Sequence, residues 1–166
     1  LPMQGQCEPP DDDRWFQRMR DAGIESLSMH LEAVNPDVRA RIMPGKAQVS
    51  VERYFEAFDV AVKVFGRGQV SSYILAGLGD TKEEILDICE RLVAAGVYPF
   101  VVPFVPISGT PLESQPSPSS GFMHEILSPL AKMLGDARIS YSDIKAGCGR
   151  CGACSALSTY EKMRQE

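Results

Sequence analysis

The feature that most constrains the fold is a pattern of an amphipathic stretch, a glycine and a short apolar run that occurs three times. The three units occupy residues 11–32, 50–76 and 81–105, and the glycines between their two parts are Gly23, Gly66 and Gly96. A glycine that follows an amphipathic stretch is typical of the end of a helix. The third unit also opens with a capping box, in which Thr81 and Glu84 mark the helix start. Each unit therefore predicts a helix followed by a strand.

Helices alternating with short strands predict parallel βα units and the α/β class. Residues 1–6 could supply one more strand. Two arrangements fit this pattern: an open doubly wound sheet, or a segment of an eight-stranded barrel. Three or four strands cannot close a barrel, so the second arrangement leaves strand edges for another segment or copy to cover.

The chain divides into four parts by composition. Residues 1–112 hold the βα units, 113–120 form a Pro/Ser-rich linker, 121–141 predict a helix and a short strand, and 142–166 form a cysteine-rich tail. On the barrel interpretation, the open edge and an apolar face that includes Val70, Ile74 and Val101 predict a homodimer or a higher assembly.

Composition excludes several classes of function. Hydrophobic residues make up 44% and charged residues 23% of the 166, as in ordinary globular proteins. The net charge of −5, with no cluster of Lys or Arg, disfavours nucleic acid as a partner. The longest apolar runs, such as residues 97–105, are far shorter than the roughly 20 residues that a membrane-spanning helix needs. We therefore expect a cytoplasmic protein without a membrane segment.

Ligands of parallel α/β folds bind at the carboxyl ends of the strands, and all three predicted strand ends carry unusual residues. The first places Ser28, His30 and Glu32 on one face, although a single His or Glu can also be a structural group. The second ends in a turn with Gly77 and Gly79, where backbone can approach a ligand closely. The third ends in a proline-rich stretch, 103–112, whose free carbonyls and Phe104 could hold a planar heterocycle.

Five cysteines occur, and three of them, Cys148, Cys151 and Cys154, have CxxCxxC spacing. This spacing favours a metal site over a disulfide framework. It matches the first three ligands of a ferredoxin-type run without the fourth, so an auxiliary iron-sulfur cluster and zinc, with Cys7 or another ligand, both remain open. Cys89 lies within an apolar helical pattern and is expected to be a buried small side chain.

The order of these strand-end motifs resembles the second half of the barrel of the radical S-adenosylmethionine (SAM) superfamily, nearest to biotin synthase-like members. The resemblance rests on Glu32, on Leu75-Ala-Gly-Leu-Gly-Asp-Thr81, and on Pro103-x-x-Pro106-x-x-Gly109-Thr-Pro-Leu112, and it covers most of residues 1–112. It implies a partial (βα) barrel, the C-terminal half of a TIM-like barrel, followed by a C-terminal helix and the cysteine tail. The other half of the barrel is then an implied partner.

The resemblance also implies roles for individual residues. Glu32 would hold the ribose of SAM, and Lys46, or alternatively Arg41, would meet its carboxylate. Residues expected to lie along the rest of the cofactor are Gly77, Gly79, Phe104, Val105 and Pro106. Those expected to face a small-molecule substrate are Ser28, His30, Ser71 and Tyr73.

One departure from the family bears on activity. The CxxxCxxC motif, which binds the 4Fe-4S cluster that reduces SAM, does not occur in the sequence. We therefore expect this polypeptide by itself not to cleave SAM, and to contribute SAM- and substrate-binding surface with a possible auxiliary iron-sulfur site. The alternative is a non-catalytic α/β binding module with a structural zinc site.

Overall fold

A computed structural model, which describes residues 1–164, contains a four-stranded parallel sheet with the strand order β1-β2-β3-β4. The strands are β1 (Met3–Gln6), β2 (Ile24–Ser28), β3 (Val70–Ala76) and β4 (Val97–Pro103). Each strand pairs with the one before it in the chain, so the crossovers all advance in one direction. A doubly wound sheet would reverse its strand order. The α/β class is confirmed, and the topology is that of a barrel segment.

The four predicted helices are present within the described residues, as α1 (Arg14–Asp21), α3 (Val51–Phe65), α4 (Lys82–Ala94) and α5 (Ser120–Asp136). Three further helices, α2 (Pro36–Ile42), α6 (Cys148–Cys151) and α7 (Leu157–Met163), were not predicted. Ser50 caps α3 through its side chain, and Thr81 and Glu84 form the predicted capping box of α4. The sequence pattern did not reveal α2, which Asn35 caps, or the short 3₁₀ turn Lys46–Gln48 that follows it.

The structure differs from the prediction at residues 138–141, where a short strand was expected and none forms. A 3₁₀ turn, Tyr141–Asp143, follows instead. The Glu161 carboxylate accepts a hydrogen bond from the Tyr141 backbone N–H at 3.1 Å, and Gln69 donates to the Asp143 carbonyl at 2.8 Å. These side chains take the place of ladder partners, so the segment is held without joining the sheet.

The outer face of the sheet is apolar and lies beneath the helices. Leu27, Val70, Ile74 and Val101 have no exposed surface. The predicted apolar face for a second copy is therefore wrong, because these residues pack against the chain's own helices. The prediction of a homo-oligomer stays untested and now depends only on the strand edges.

The inner face is polar, and residues 138–164 fold back across part of it. The Ser26 hydroxyl accepts a hydrogen bond from the backbone N–H of Ala146 at 3.3 Å, and the Gln69 side chain accepts one from Lys145 at 3.0 Å. Ile144 and Leu157 belong to the main hydrophobic core. The cysteine-bearing segment is thus packed onto the barrel segment rather than trailing from it.

Within residues 1–164, no helix is long and apolar enough to cross a membrane.

Candidate functional site

Glu32 lies beyond the end of β2, at the carboxyl edge of the sheet. Its backbone N–H donates to the Tyr73 carbonyl at 2.9 Å, and its own carbonyl accepts from Leu75 at 2.7 Å, so it is paired with β3. Its φ of 66° lies in the left-handed region, which costs energy for a residue other than glycine. The chain is therefore forced to turn at the residue that carries the carboxylate.

A compact ion cluster surrounds the Glu32 side chain, which is 21% exposed. Lys46 Nζ lies 3.2 Å from Glu32 Oε1, and His30 Nδ1 lies 3.6 Å from the same oxygen. Lys46 also donates to the His30 carbonyl at 2.6 Å. Burial alone would raise the pKa of Glu32, but the neighbouring His30 ring and the Lys46 ammonium outweigh it and hold this pKa below its usual value. The carboxylate is therefore ionised at neutral pH.

The two basic candidates occupy different places. Lys46 joins Glu32, and its third contact is Glu8 Oε1 at 3.3 Å. Glu8 is 51% exposed and also accepts a hydrogen bond from the Tyr54 hydroxyl. Arg41 instead donates to the Leu78 carbonyl at 3.2 Å, beside the glycine turn. The geometry thus favours Lys46 over Arg41 as the cation that would accompany Glu32.

The four predicted substrate residues share the inner face of the sheet. The hydroxyls of Ser28 and Ser71 lie 2.8 Å apart and are buried. The rings of His30 and Tyr73 stack in a tilted arrangement with centroids 4.5 Å apart. Ser28 and Ser71 are thus covered, whereas His30 and Tyr73 are partly exposed and form the accessible polar surface next to Glu32.

Sequence reasoning missed two glutamines on this surface. Gln4 donates to Ser28 Oγ at 3.1 Å, and Gln6 Nε2 lies 3.3 Å from His30 Nδ1. The two glutamines are two residues apart in β1, and this spacing, which puts both side chains on one face of a strand, was the available sequence signal. Four residues are too few for that alternation to stand out.

The glycine turn has a packing explanation of its own. Gly77 and Gly79 have φ values of 105° and 132°, and a Cβ at Gly77 would lie 2.9 Å from Pro118 Cδ. Gln115 donates to the Gly77 carbonyl, so the 113–120 segment covers the turn. Asp80 follows and is buried, where it accepts hydrogen bonds from the backbone of Val34 and Asn35. The contact of either glycine with a cofactor stays a prediction.

The end of β4 borders a mostly apolar cavity. Phe104 continues the ladder through its N–H to the Ala76 carbonyl at 2.8 Å. The cavity has a volume of about 430 Å³ and is lined by Arg41, Ile42, Phe104, Val105, Ile107, Thr110, Pro111 and Leu112. Phe104 and Val105 line this cavity and Pro106 does not, and the contact of these three residues with a cofactor stays a prediction. Its size and lining suit a planar, largely apolar group.

The tail cysteines reach the inner face at Tyr73. The thiols of Cys148 and Cys154 lie beside the Tyr73 hydroxyl, and burial together with these two groups raises the pKa of Tyr73. Within residues 1–164, no group of three or more Cys, His, Asp or Glu side chains is gathered closely enough to hold a metal ion. Cys7 is half-buried, which raises the pKa of its thiol to about 11. The described side chains, as they stand, do not fit an iron-sulfur cluster or zinc.

Arg39 is a further residue that sequence reasoning missed. It is only 3% exposed. Its guanidinium donates to four backbone carbonyls, those of Leu31 (2.8 Å), Ala33 (3.0 Å), Lys46 (3.1 Å) and Val49 (2.9 Å). No sequence signal distinguished it from Arg41, its neighbour on α2.

Several known proteins are similar to this chain. Bacteriochlorophyllide c C-7(1)-hydroxylase of Chlorobaculum limnaeum is 32% identical over 137 residues, which are 81% of this chain and 33% of that protein. The probable dual-specificity RNA methyltransferase RlmN of Rhodopirellula baltica is 24% identical over 137 residues, 81% of this chain and 37% of that protein. The chain thus spans about a third of the length of these relatives.

A solved structure shares the fold. Coproporphyrinogen III oxidase (HemN) from Escherichia coli superposes with a TM-score of 0.58 and 16% sequence identity, over 82% of this chain and 32% of that chain. The finer resemblance to biotin synthase-like members stays a prediction. Residues 2–92, more than half of the sequence, match the Radical SAM superfamily. The chain belongs to the radical SAM superfamily.

Proposed function

We propose that this chain forms the C-terminal part of a radical SAM barrel and supplies the surface that binds SAM and a small polar substrate. The observation that carries the proposal is the Glu32–Lys46 pair, 3.2 Å apart, at the carboxyl end of the parallel strands in a chain of this superfamily. Folds of this kind bind their ligands at that end. The substrate and reaction would also depend on the other half of the barrel.

The cofactor would contact four sets of residues. The ionised Glu32 carboxylate is an acceptor for the two ribose hydroxyls. Lys46 is a donor for the ligand carboxylate, which would replace the exposed Glu8 as its third partner. Adenine would enter the cavity beside Phe104 and Val105, and Gly77 and Gly79 would border the cofactor. When bound, SAM supplies the radical that abstracts hydrogen in this superfamily. The inner-face residues would orient the substrate.

The cluster that reduces SAM has no place on the described residues. The sequence lacks CxxxCxxC, and residues 1–164 gather no metal ligands. We therefore assign the reducing cluster to the other half of the barrel, which would also pair with an open strand edge. The role of this chain is binding and orientation.

Binding of S-adenosylhomocysteine to the purified chain tests the proposal. Because half of the contacts are missing, we expect millimolar affinity, about −4 kcal/mol, which ligand-observed NMR can follow. Glu32→Gln should weaken binding by about tenfold or more, since a charged acceptor is worth more than a neutral one.

Glu52→Gln is the matched control, because Glu52 pairs with Arg91 at 3.0 Å on the exposed surface. It should leave the affinity unchanged. Equal affinities in wild type and Glu32→Gln, or equal losses in both variants, would exclude Glu32 as the ribose ligand.

We further propose that Cys148, Cys151 and Cys154, whose side chains are exposed, hold an auxiliary iron-sulfur cluster after a local rearrangement of the 148–154 segment. Support comes from the CxxCxxC spacing and from the approach of two of the three thiols to Tyr73. All three side chains are exposed, so Cys151 can turn without disturbing the core. The site would then open onto the substrate surface.

Anaerobic reconstitution with iron and sulfide tests whether the three tail cysteines bind an iron-sulfur cluster. Wild type should become brown and retain iron, whereas the triple Cys→Ser variant should stay colourless and melt at nearly the same temperature. Zinc is colourless because Zn²⁺ has a filled d shell, so a colourless protein with bound zinc would support the structural-zinc alternative instead. Cys89→Ser serves as the control for loss of a thiol outside the tail.

A further inference from the structure

We infer that Arg39 is a positioning residue that sets the distance between Glu32 and Lys46. The inference deepens the proposed function and rests on it for its relevance to ligand binding. Arg39 is buried, yet all its hydrogen bonds go to backbone carbonyls rather than to a carboxylate, which is unusual for a buried charge.

The four carbonyls belong to two different loops. Leu31 and Ala33 flank Glu32, and one guanidinium nitrogen, Nη1, bonds to both. The other nitrogen, Nη2, bonds to Lys46 itself and to Val49. The planar fork of the guanidinium thus joins the loop that carries the carboxylate to the turn that carries the ammonium.

The same bonds explain how Glu32 keeps its strained backbone. A non-glycine residue with φ of 66° persists only where its surroundings over-determine it. The β3 ladder fixes the N–H and C=O of Glu32, and Arg39 fixes the carbonyls before and after it. This fixed backbone conformation places the Glu32 side chain next to Lys46.

Arg39 also influences Glu8, the exposed carboxylate that pairs with Lys46, through the ring of Tyr54. Its guanidinium lies over the Tyr54 ring, 5.7 Å from the centroid, and the Tyr54 hydroxyl donates to Glu8. Glu8 in turn pairs with Lys46 at 3.3 Å. Glu8, Glu32 and Lys46 are thus all held, directly or through one neighbour, by a single buried cation.

Lysine cannot replace this function. A lysine has a point charge with three donors and no fork, so it cannot span two loops with four bonds. Arg39→Lys should therefore free the Lys46 turn while keeping the charge. Arg39→Met removes the buried charge and keeps an apolar side chain of similar length, although the carbonyls that lose their donor should lower its melting temperature.

The experiment measures the acetylation rate of Lys46 in the native full chain by peptide mass spectrometry, with the exposed Lys63 as internal reference. We expect the rate at Lys46 to rise about tenfold in Arg39→Lys or Arg39→Met, as loss of about one charge-assisted hydrogen bond would give. Asp80→Asn is the matched control, because Asp80 is equally buried and bonds to the same loop at Val34 and Asn35. It should lower the melting temperature without changing the rate at Lys46.

An unchanged rate in a folded Arg39 variant would overturn the inference, as would an equal rise in Asp80→Asn. Failure of the proposed function can be distinguished from failure of this inference. If wild type does not bind S-adenosylhomocysteine but Lys46 is released in the Arg39 variants, Arg39 positions the pair and the cofactor assignment is wrong.

Discussion

At the scale of single residues, the cluster at the sheet edge combines a strained backbone with a buried charge. Glu32 contributes the left-handed turn and an ionised carboxylate, and Lys46 uses its donors on Glu32, Glu8 and a backbone carbonyl. Burying such a pair costs desolvation energy that hydrogen bonds must offset. The lowered pKa of Glu32 indicates that these contacts outweigh burial of the carboxylate, so the remaining cost lies in its left-handed backbone.

The lowered pKa of Glu32 predicts a specific pH dependence of stability. The ionised form stabilises the fold above the unfolded-state pKa, about 4.3, and this contribution is lost as the pH falls through the lower folded-state value. Wild type should therefore be more stable than Glu32→Gln at neutral pH, and the difference in unfolding free energy should shrink in acid. Urea denaturation at a series of pH values measures it.

Glu52→Gln provides the comparison in that series. It breaks an exposed ion pair and should change the free energy of unfolding little at any pH. A difference between wild type and Glu32→Gln that grows as the pH falls would contradict the assignment of the carboxylate as ionised and stabilising.

At the scale of elements, the segment 138–164 is an integral part of the inner wall. Its backbone bonds to Ser26 and Gln69, and Tyr98 donates to Glu161 at 2.6 Å in the interior. Burial raises the pKa of both Tyr98 and Glu161 above their usual values. Two glycines, Gly147 and Gly149, allow the segment to lie directly on β1 and β4.

Gly147→Ala should loosen this segment. Gly147 has φ of 93°, and an added Cβ would overlap the Gln4 amide. We expect a loss of about 1–3 kcal/mol in stability, from backbone strain and the forced shift of Gln4. Hydrogen exchange should show the loss of protection concentrated in residues 138–164.

Gly121→Ala is the control for that measurement. Its Cβ would meet only Ser119 Oγ at 3.8 Å, within the first turn of α5. Alanine suits a helix better than glycine does, so stability should not fall. If Gly147→Ala were as stable as wild type, the close docking of the segment on β1 would be wrong.

At the scale of the whole molecule, the sequence predicted what short-range chemistry decides. The capping box at Thr81 and the glycines that end the helices are local signals, and they located three βα units correctly. The inner polar face followed from the alternation of Ser28, His30 and Glu32, whereas the roles of Glu32 and Lys46 came from the resemblance and stay predictions. The position of the cysteine segment and the role of Arg39 did not follow, because each depends on contacts between segments far apart in the chain.

The docking of residues 138–164 also has a kinetic consequence. The bond from Ala146 to Ser26 joins residues 120 positions apart, and Gly147 packs on Gln4 in the first strand. Contacts of such high sequence separation form late, because loop closure must precede them. We therefore expect the βα units to form first, with the polar inner face open to water until residues 138–164 dock. In that state small molecules could reach His30 and Tyr73 from a side that the native chain has closed.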